Sequence, residues 1–175
     1  MLPAPAVSAE SSRVTLTDAV SRCRGADARV AGDPRSRRLA SRSLLCAVNT
    51  VRRWYGRRRL GPNRRLVRAA TAHSSSMVRS KYFSHITPGG VILADRLRMA
   101  RYLPARQWLV GENLGAVRGR RGTPSSLVIA WLLNPPHRVN LLEPAFREIG
   151  IGAVAGQPDG SSTGVTFTAN FGVRR

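Results

Sequence analysis

The sequence predicts an α+β domain in which helical segments come first and an antiparallel β-hairpin closes the chain. Apolar residues recur at helical spacing between positions 41 and 80. Near the C-terminus, Val165, Phe167 and Ala169 alternate with polar residues, as in a strand with one buried face. A polar, glycine-rich segment at 157–164 separates this strand from an apolar one at 146–155, which indicates a hairpin. Helices followed by a hairpin are typical of the α+β class.

Length and composition fit one globular domain. The chain has 175 residues, 42% of them hydrophobic, which is enough for one core. It contains no run of 18 apolar residues, the length that would predict a membrane-spanning helix. The formal net charge is +20, and Lys81 is the only lysine. Such a charge attracts nucleic acid, anionic lipid and anionic wall polymers alike, although a solvated basic face is the simpler interpretation.

The first forty residues predict no stable core element. Residues 1–9 resemble the end of a secretory signal peptide, because Val7-Ser8-Ala9 forms a small-x-small cleavage pattern. Residues 10–40 are rich in arginine, serine, alanine, glycine and aspartate, which predicts a flexible basic arm.

Two long helices follow in the sequence. The first is expected to be capped by Ser41 or Ser43 and to end near Tyr55, before Gly56. The second is expected to be capped by Asn63 and to end near position 80.

Shorter elements come next. His73 lies on the apolar stripe of the second helix, and we interpret it as a packed core residue rather than a ligand. A short helix is expected at 91–99 and an extended segment at 108–117. Thr123 followed by Pro124 predicts a capped helix start.

A proline pair interrupts the last helical segment. Asn134 is followed by Pro135 and Pro136, which stop a helix by removing backbone donors and by steric clash. His137 therefore comes just past a corner, where it can face a cleft. The alternative is that His137 caps or packs against the short helix expected at 138–142.

Four motifs, taken in order, resemble those of the CAP superfamily, which comprises cysteine-rich secretory, antigen 5 and pathogenesis-related proteins. They are Tyr82-Phe83-Ser84-His85, Gly111-Glu112-Asn113, the stretch from Trp131 through Pro136-His137-Arg138-Val139-Asn140-Leu141-Leu142, and Ile149-Gly150-Ile151-Gly152. Each motif is weak alone, but four in the right order are specific. The resemblance covers residues 43–172 and is closest to the secreted bacterial branch with a single CAP (SCP) domain. It implies an α-β-α sandwich and a secreted or cell-envelope location.

The resemblance also implies a site. CAP domains place two histidines and two acidic residues in a central cleft, and His85, Glu112 and His137 match three of these. Imidazole and carboxylate donors suit zinc or a related divalent ion. No carboxylate follows shortly after Trp131, where the fourth group is expected, so a metal would be bound weakly or in hydrated form. The same groups could instead hold a water molecule without metal.

Three further residues are expected to support the cleft. Asn113 and Ser84 are interpreted as structural first, since asparagine in such turns often bonds to the backbone, and Asn140 is expected to lock the corner around His137. Ser84 is adjacent to His85, and neighbouring side chains diverge, so this pair does not predict a nucleophile with its base. No Gly-x-Ser-x-Gly elbow is present either. The corner around His137 is also expected to involve Glu148.

Cys23 and Cys46 are too far apart for a redox Cys-x-x-Cys and too few for a zinc ribbon. Similar bacterial CAP proteins carry one cysteine ahead of the first helix and one inside it, so the resemblance implies a disulfide. Such a bond would stabilise the fold by roughly 3 kcal/mol. The alternative is two unrelated buried thiols.

The favoured function is therefore a secreted, non-enzymatic binding module with a polar cleft that could hold a divalent metal. Its expected partners are a lipid, a sterol or an anionic cell-wall polymer. One alternative is an exported hydrolase using a metal-bound water at the cleft. Another is polyanion or nucleic-acid binding through the arginine clusters, against which stands the absence of any nucleic-acid-binding signature.

Overall fold

The computed structural model describes residues 15–104 and 107–174. Within these ranges the chain forms six helices and four strands. The helices are α1 (Leu16–Ser21), α2 (Pro34–Trp54), α3 (Arg64–Arg79), α4 (Leu93–Met99), α5 (Pro124–Leu133) and α6 (Pro135–Leu142). The strands are β1 (Gly61–Pro62), β2 (Trp108–Val117), β3 (Glu148–Ala155) and β4 (Val165–Arg174). None of the helices in the described ranges is both long and apolar enough to cross a membrane.

The four strands form one mixed sheet in the order β1-β3-β4-β2. Strands β3 and β4 are the expected C-terminal hairpin, and β4 also pairs antiparallel with β2 along its whole length. The very short β1, which the sequence did not predict, runs parallel to the start of β3. These features confirm the α+β class.

Helices cover both faces of the sheet. Ile149, Ile151 and Phe167 pack with α2 and α5 in the main core, whereas the alternate positions of β3 face α3. The architecture is therefore the α-β-α sandwich that the resemblance implied. The expectation of a single buried face on β4 is wrong, because Thr166 and Thr168 are also fully buried beneath the second layer.

Helix α3 lies directly on the main chain of β3. A Cβ atom at Gly150 would stand 2.1 Å from the carbonyl carbon of Leu66, and one at Gly152 would stand 2.4 Å from that of Ala70. No other residue type fits at these two positions without moving the helix. The isoleucines of the Ile-Gly-Ile-Gly strand thus fill the main core on one face of the sheet, and its glycines make room for the backbone of α3 on the other.

The first long helix starts earlier than the sequence predicted. Asp33 is the N-cap and accepts hydrogen bonds from the backbone N–H groups of Arg35 and Ser36, at 2.9 and 3.0 Å. Pro34 occupies the first helical turn, as its fixed φ allows. The expected cap at Ser41 or Ser43 is wrong, since both lie inside the helix and Ser43 is buried.

The interpretation of residues 10–40 as a flexible arm is wrong for the part that the structure describes. From Thr15 onwards the chain forms α1, in which Val20 is buried, and then a loop in which Ala26 and Val30 are buried. A disulfide between Cys23 and Cys46 ties this segment to α2, as the resemblance implied. The signal-peptide remnant expected at 1–9, and residues 10–14, lie outside the described residues.

The corner at the proline pair is tighter than expected. Asn134 ends α5 and also serves as the N-cap of α6, which begins at Pro135 rather than near position 138. His137 therefore lies in the first turn of a helix and not in a loop. The caps predicted at Asn63 and Thr123 are confirmed, and β2 has the predicted bounds.

Candidate functional site

The three sequence-predicted site residues come from three different elements around the middle of β2. His85 lies in the loop after α3, Glu112 lies on β2, and His137 lies in the first turn of α6. The Nδ1–H of His85 donates to Oε1 of Glu112 over 2.8 Å. The Glu112 side chain is only 2% exposed, whereas that of His85 is 55% exposed. The cleft thus presents an imidazole to solvent and keeps the carboxylate beneath it.

An arginine that the sequence analysis did not single out completes this arrangement. Arg96, on α4, donates from Nη2 to Oε2 of Glu112 over 2.7 Å, and its side chain is 6% exposed. Its Nη1 donates to the carbonyl oxygens of His85 and Val91, at 2.8 and 3.1 Å. The guanidinium therefore compensates the buried carboxylate charge and also fixes the backbone of the loop that carries His85.

Two further polar side chains, His73 on α3 and Asn170 on β4, lie close to the carboxylate of Glu112. The buried His73 donates from Nε2 to the carbonyl oxygen of Ser84 over 3.0 Å and lies 3.9 Å from Glu112 Oε1. Burial lowers the pKa of His73 and outweighs the opposing effect of Glu112. With its amide nitrogen facing Glu112, Asn170 donates to Oε2 over 3.0 Å and accepts from the N–H of Ala70 over 3.2 Å. The prediction that His73 packs in the core is thus confirmed.

Asparagines hold the second histidine in place. Asn113 donates to the carbonyl oxygen of His137 over 3.1 Å, and Asn140 donates to Asn113 Oδ1 over 2.9 Å and to the Glu112 carbonyl over 3.0 Å. Burial and then the nearby charge of His85 lower the pKa of His137. The two asparagines thus tie the first turns of α6, including the backbone of His137, to the strand that carries Glu112.

Two other expected contributors lie elsewhere or act through the backbone. The Ser84 hydroxyl accepts from the N–H of Ile86 over 3.1 Å, and its carbonyl holds His73, so its contribution is to loop shape. Glu148 does not bond to the corner around His137, because its carboxylate accepts hydrogen bonds from Asn63, Tyr102 and Arg174.

The donor set departs from a three-ligand metal site. Both oxygens of Glu112 are engaged by His85 and Arg96, so the groups left facing the cleft are imidazole nitrogens of His85 and His137. Among the described residues, no group of three or more His, Cys, Asp or Glu side chains is arranged to hold a metal ion. In this arrangement the chain offers imidazole nitrogens of two histidines, with a carboxylate behind one of them, and these are fewer ligands than the usual closed zinc site has.

A pocket of about 320 Å³ that is open to solvent lies beside His73 and Arg96, two of the residues around Glu112. These two are among its polar lining residues, and Val91 and Met99 are among its apolar ones. Phe83, two residues before His85, is 53% exposed. Exposed and pocket-lining apolar side chains thus lie close to the polar groups around Glu112.

Comparisons with known proteins agree with this fold. The chain is 31% identical to the YkwD protein of Bacillus subtilis (strain 168) over 107 residues, which are 61% of this chain and 39% of that protein. An extracellular SCP-domain protein of Bacillus anthracis superposes with a TM-score of 0.66 at 25% identity, over 82% of this chain and 44% of the other. The chain thus spans less than half the length of these two relatives.

A further solved structure shows the same fold at lower identity. An outer surface protein of Borrelia burgdorferi superposes with a TM-score of 0.64 at 18% identity, over 75% of this chain and 90% of the other. The family model described as "CAP: Cysteine-rich secretory protein family" matches residues 45–171, which contain all the cleft residues described above. This protein therefore belongs to the cysteine-rich secretory protein (CAP) family.

Proposed function

We propose that the protein is an extracellular binding module without enzymatic activity, and that its ligand contacts His85 and His137 in the cleft. The extracellular part of the proposal is supported by the solved relatives, which are described as extracellular or outer-surface proteins. The Cys23–Cys46 disulfide also supports it, because such bonds persist in oxidising compartments. The expected ligands are those that the resemblance implies: a lipid, a sterol or an anionic wall polymer.

The observation that carries the proposal is the His85–Glu112–Arg96 chain. Its buried end is an ion pair with matched charges, and its exposed end is an imidazole whose orientation the carboxylate fixes. A rigid donor or acceptor at the mouth of a cleft suits recognition of a polar group. Among the described residues, no hydroxyl hydrogen-bonds to either cleft histidine, and both cysteines are in the disulfide. Covalent catalysis needs a nucleophile beside its base, and neither the hydroxyl groups nor the cysteines of the described residues supply one at these histidines.

A second candidate, a metal-dependent hydrolase, is favoured by one feature of the same geometry. The Nδ1 of His85 faces a carboxylate, which leaves its Nε2 free, and this is how carboxylates orient metal-binding histidines in proteins. His85 and His137 are the residues that would hold such an ion. A bound zinc ion would supply a Lewis acid and an acidic water at neutral pH. Because Glu112 is engaged elsewhere, we give this candidate second place.

Calorimetric titration with zinc of the oxidised, chelator-stripped protein tests the two candidates. The cleft variants are His85→Ala and His137→Ala, and the matched control is His73→Gln, because His73 is buried away from solvent. Stoichiometric binding that both cleft variants abolish and the control retains would favour the metal-dependent candidate. The proposed module predicts no stoichiometric zinc binding by the folded wild-type protein.

A direct activity measurement completes the test. Ester, peptide and phosphodiester substrates are incubated with wild type and with His137→Ala, with and without zinc. The proposal predicts no turnover above background in either protein. Turnover that disappears in His137→Ala, while its thermal unfolding stays unchanged, would contradict the non-enzymatic assignment.

A further inference from the structure

A second surface, remote in sequence from the cleft residues, combines aromatic and cationic side chains in one short loop. We call the segment Trp54–Arg59 the arginine loop. It begins at the last residue of α2, turns at Gly56 with a φ of +66°, and continues through three consecutive arginines. Trp54 and Tyr55 are 50% and 47% exposed, and the arginines are exposed as well. These two adjacent aromatic side chains form a small apolar patch with cationic groups beside it.

Two buried polar side chains of α2 hold the main chain of the arginine loop. Arg52 is fully buried and donates from Nε to the Arg58 carbonyl over 2.8 Å and from Nη1 to the Leu141 carbonyl over 2.7 Å. The Asn49 amide exchanges two hydrogen bonds with the backbone of Leu60, at 2.7 and 3.1 Å. The loop is therefore fixed from below while its side chains face solvent. A surface ordered in advance loses little entropy on binding.

The positive charge of the arginine loop is not compensated within the protein. In the described part of the chain, none of its three arginines, nor the adjacent Arg53, forms an ion pair. Burial, together with the like charges of Arg147 and Arg57, lowers the pKa of Arg52 to about 10. The patch thus gains stabilisation from an external polyanion that it cannot obtain internally.

We propose that the arginine loop docks the protein onto the surface of an anionic lipid membrane. Tryptophan and tyrosine are the side chains that favour the boundary between head groups and acyl chains, and arginine binds lipid phosphate. A linear polyanion would need a groove to follow. The aromatic and cationic side chains of the arginine loop are instead exposed together on one short turn, which suits a broad anionic surface.

Vesicle co-sedimentation tests the electrostatic part of this proposal. The test variant replaces Arg57, Arg58 and Arg59 by glutamine, and the matched control makes the same change at Arg22, Arg24 and Arg29. The control arginines are exposed too, so both variants lose the same charge. Because each arginine at an anionic membrane surface contributes about fivefold in affinity, the loop variant should bind phosphatidylglycerol vesicles on the order of 100-fold more weakly.

The control variant should lose less than about tenfold in affinity for the same vesicles, because the arginines that it lacks act on the membrane only at a distance. Neither variant nor wild type should bind pure phosphatidylcholine vesicles. Equal losses in the loop and control variants would overturn the proposal, since the net charge alone would then account for binding. Circular dichroism of both variants verifies that the fold is intact.

Quenching of tryptophan fluorescence by brominated phosphatidylglycerol tests whether the loop itself enters the interface. The variants are Trp54→Phe and, as the control, Trp108→Phe, because Trp108 is the other exposed tryptophan and Trp131 is buried. Quenching of wild type that is lost in Trp54→Phe and kept in Trp108→Phe supports the proposal. Binding without quenching of Trp54, or equal affinity for soluble polyphosphate, would overturn it.

Discussion

Removal of the guanidinium beneath the cleft is the sharpest test of how this site is held together. The substitution Arg96→Met keeps a long side chain on α4 but leaves the Glu112 carboxylate, whose side chain is 2% exposed, without a cation. His85 and Asn170 still donate to it. Neither carries the formal positive charge of Arg96 when the imidazole is neutral.

The magnitude follows from the contacts that are lost. Breaking a buried ion pair by removing one partner costs about 3–5 kcal/mol, because the remaining charge is left uncompensated. The His85 carbonyl also loses a donor, whereas the Val91 carbonyl keeps the N–H of Thr87. Arg96 Nε is buried without a hydrogen-bond partner in the described residues, so its removal offsets part of the cost. We therefore expect the low end of the range, about 3 kcal/mol.

Urea unfolding of the oxidised protein, followed by circular dichroism, measures this cost. A loss of about 3 kcal/mol should lower the midpoint by roughly 1–2 M with an unchanged m-value. The double variant Arg96→Met/Glu112→Gln removes both charges and should recover more than half of the loss. A cost below about 1 kcal/mol for the single variant, or strict additivity in the double-mutant cycle, would refute the assignment of a buried ion pair.

Two further predictions concern the layer between α3 and the sheet. Gly150→Ala should destabilise the fold by about 3 kcal/mol or more, because its Cβ would meet backbone atoms of Leu66 and Val67 at 2.1 and 2.2 Å. The control is Gly61→Ala, whose Cβ would meet only a carbonyl oxygen at 3.9 Å, and it should be nearly neutral in the same urea unfolding assay. Burial lowers the pKa of His73, so the unfolded state binds a proton at this imidazole more readily than the folded state does. The contribution of neutral His73 to the free energy of unfolding is therefore complete above about pH 6.5 and is lost as the pH falls through the lowered folded-state pKa. Stability curves from pH 7 to 5 should therefore fall less steeply in His73→Gln than in wild type, and identical slopes would contradict this account.

The sequence predicted the cleft residues that belong to recognisable motifs and missed the one that does not. His85, Glu112 and His137 could be named because their neighbours are diagnostic, but an arginine in a short helix is normally a surface residue. Arg96 lies one residue before Leu97, which is buried, and one turn after Leu93. The helical spacing could therefore predict that Arg96 faces inward. Its burial, however, depends on the Glu112 carboxylate, which only the folded sheet brings within reach.

Errors in the secondary structure have a similar physical origin. The segment before position 40 is polar and small, so its composition suggested a flexible arm, whereas Asp33-Pro34 gives a strong helix start and a few apolar residues reach the core. On β4, alternation of apolar residues with Thr166, Thr168 and Asn170 suggested a solvent face. In the fold, α3 covers that face, and the hydroxyl of Ser74 on α3 hydrogen-bonds to Thr168 over 2.8 Å. Polar residues can be interior when a second layer supplies their partners.

The direct seating of α3 on Gly150 and Gly152 has a consequence for how this domain tolerates change. Because main-chain atoms meet there, the separation between the helix that carries His73 and the sheet that carries Glu112 is independent of side-chain volume. Apolar residues on the opposite face of the sheet can be exchanged for others of similar size without altering the width of the site. The two glycines thus make the spacing between α3 and the sheet depend on main-chain contact and not on how the core behind the sheet is filled.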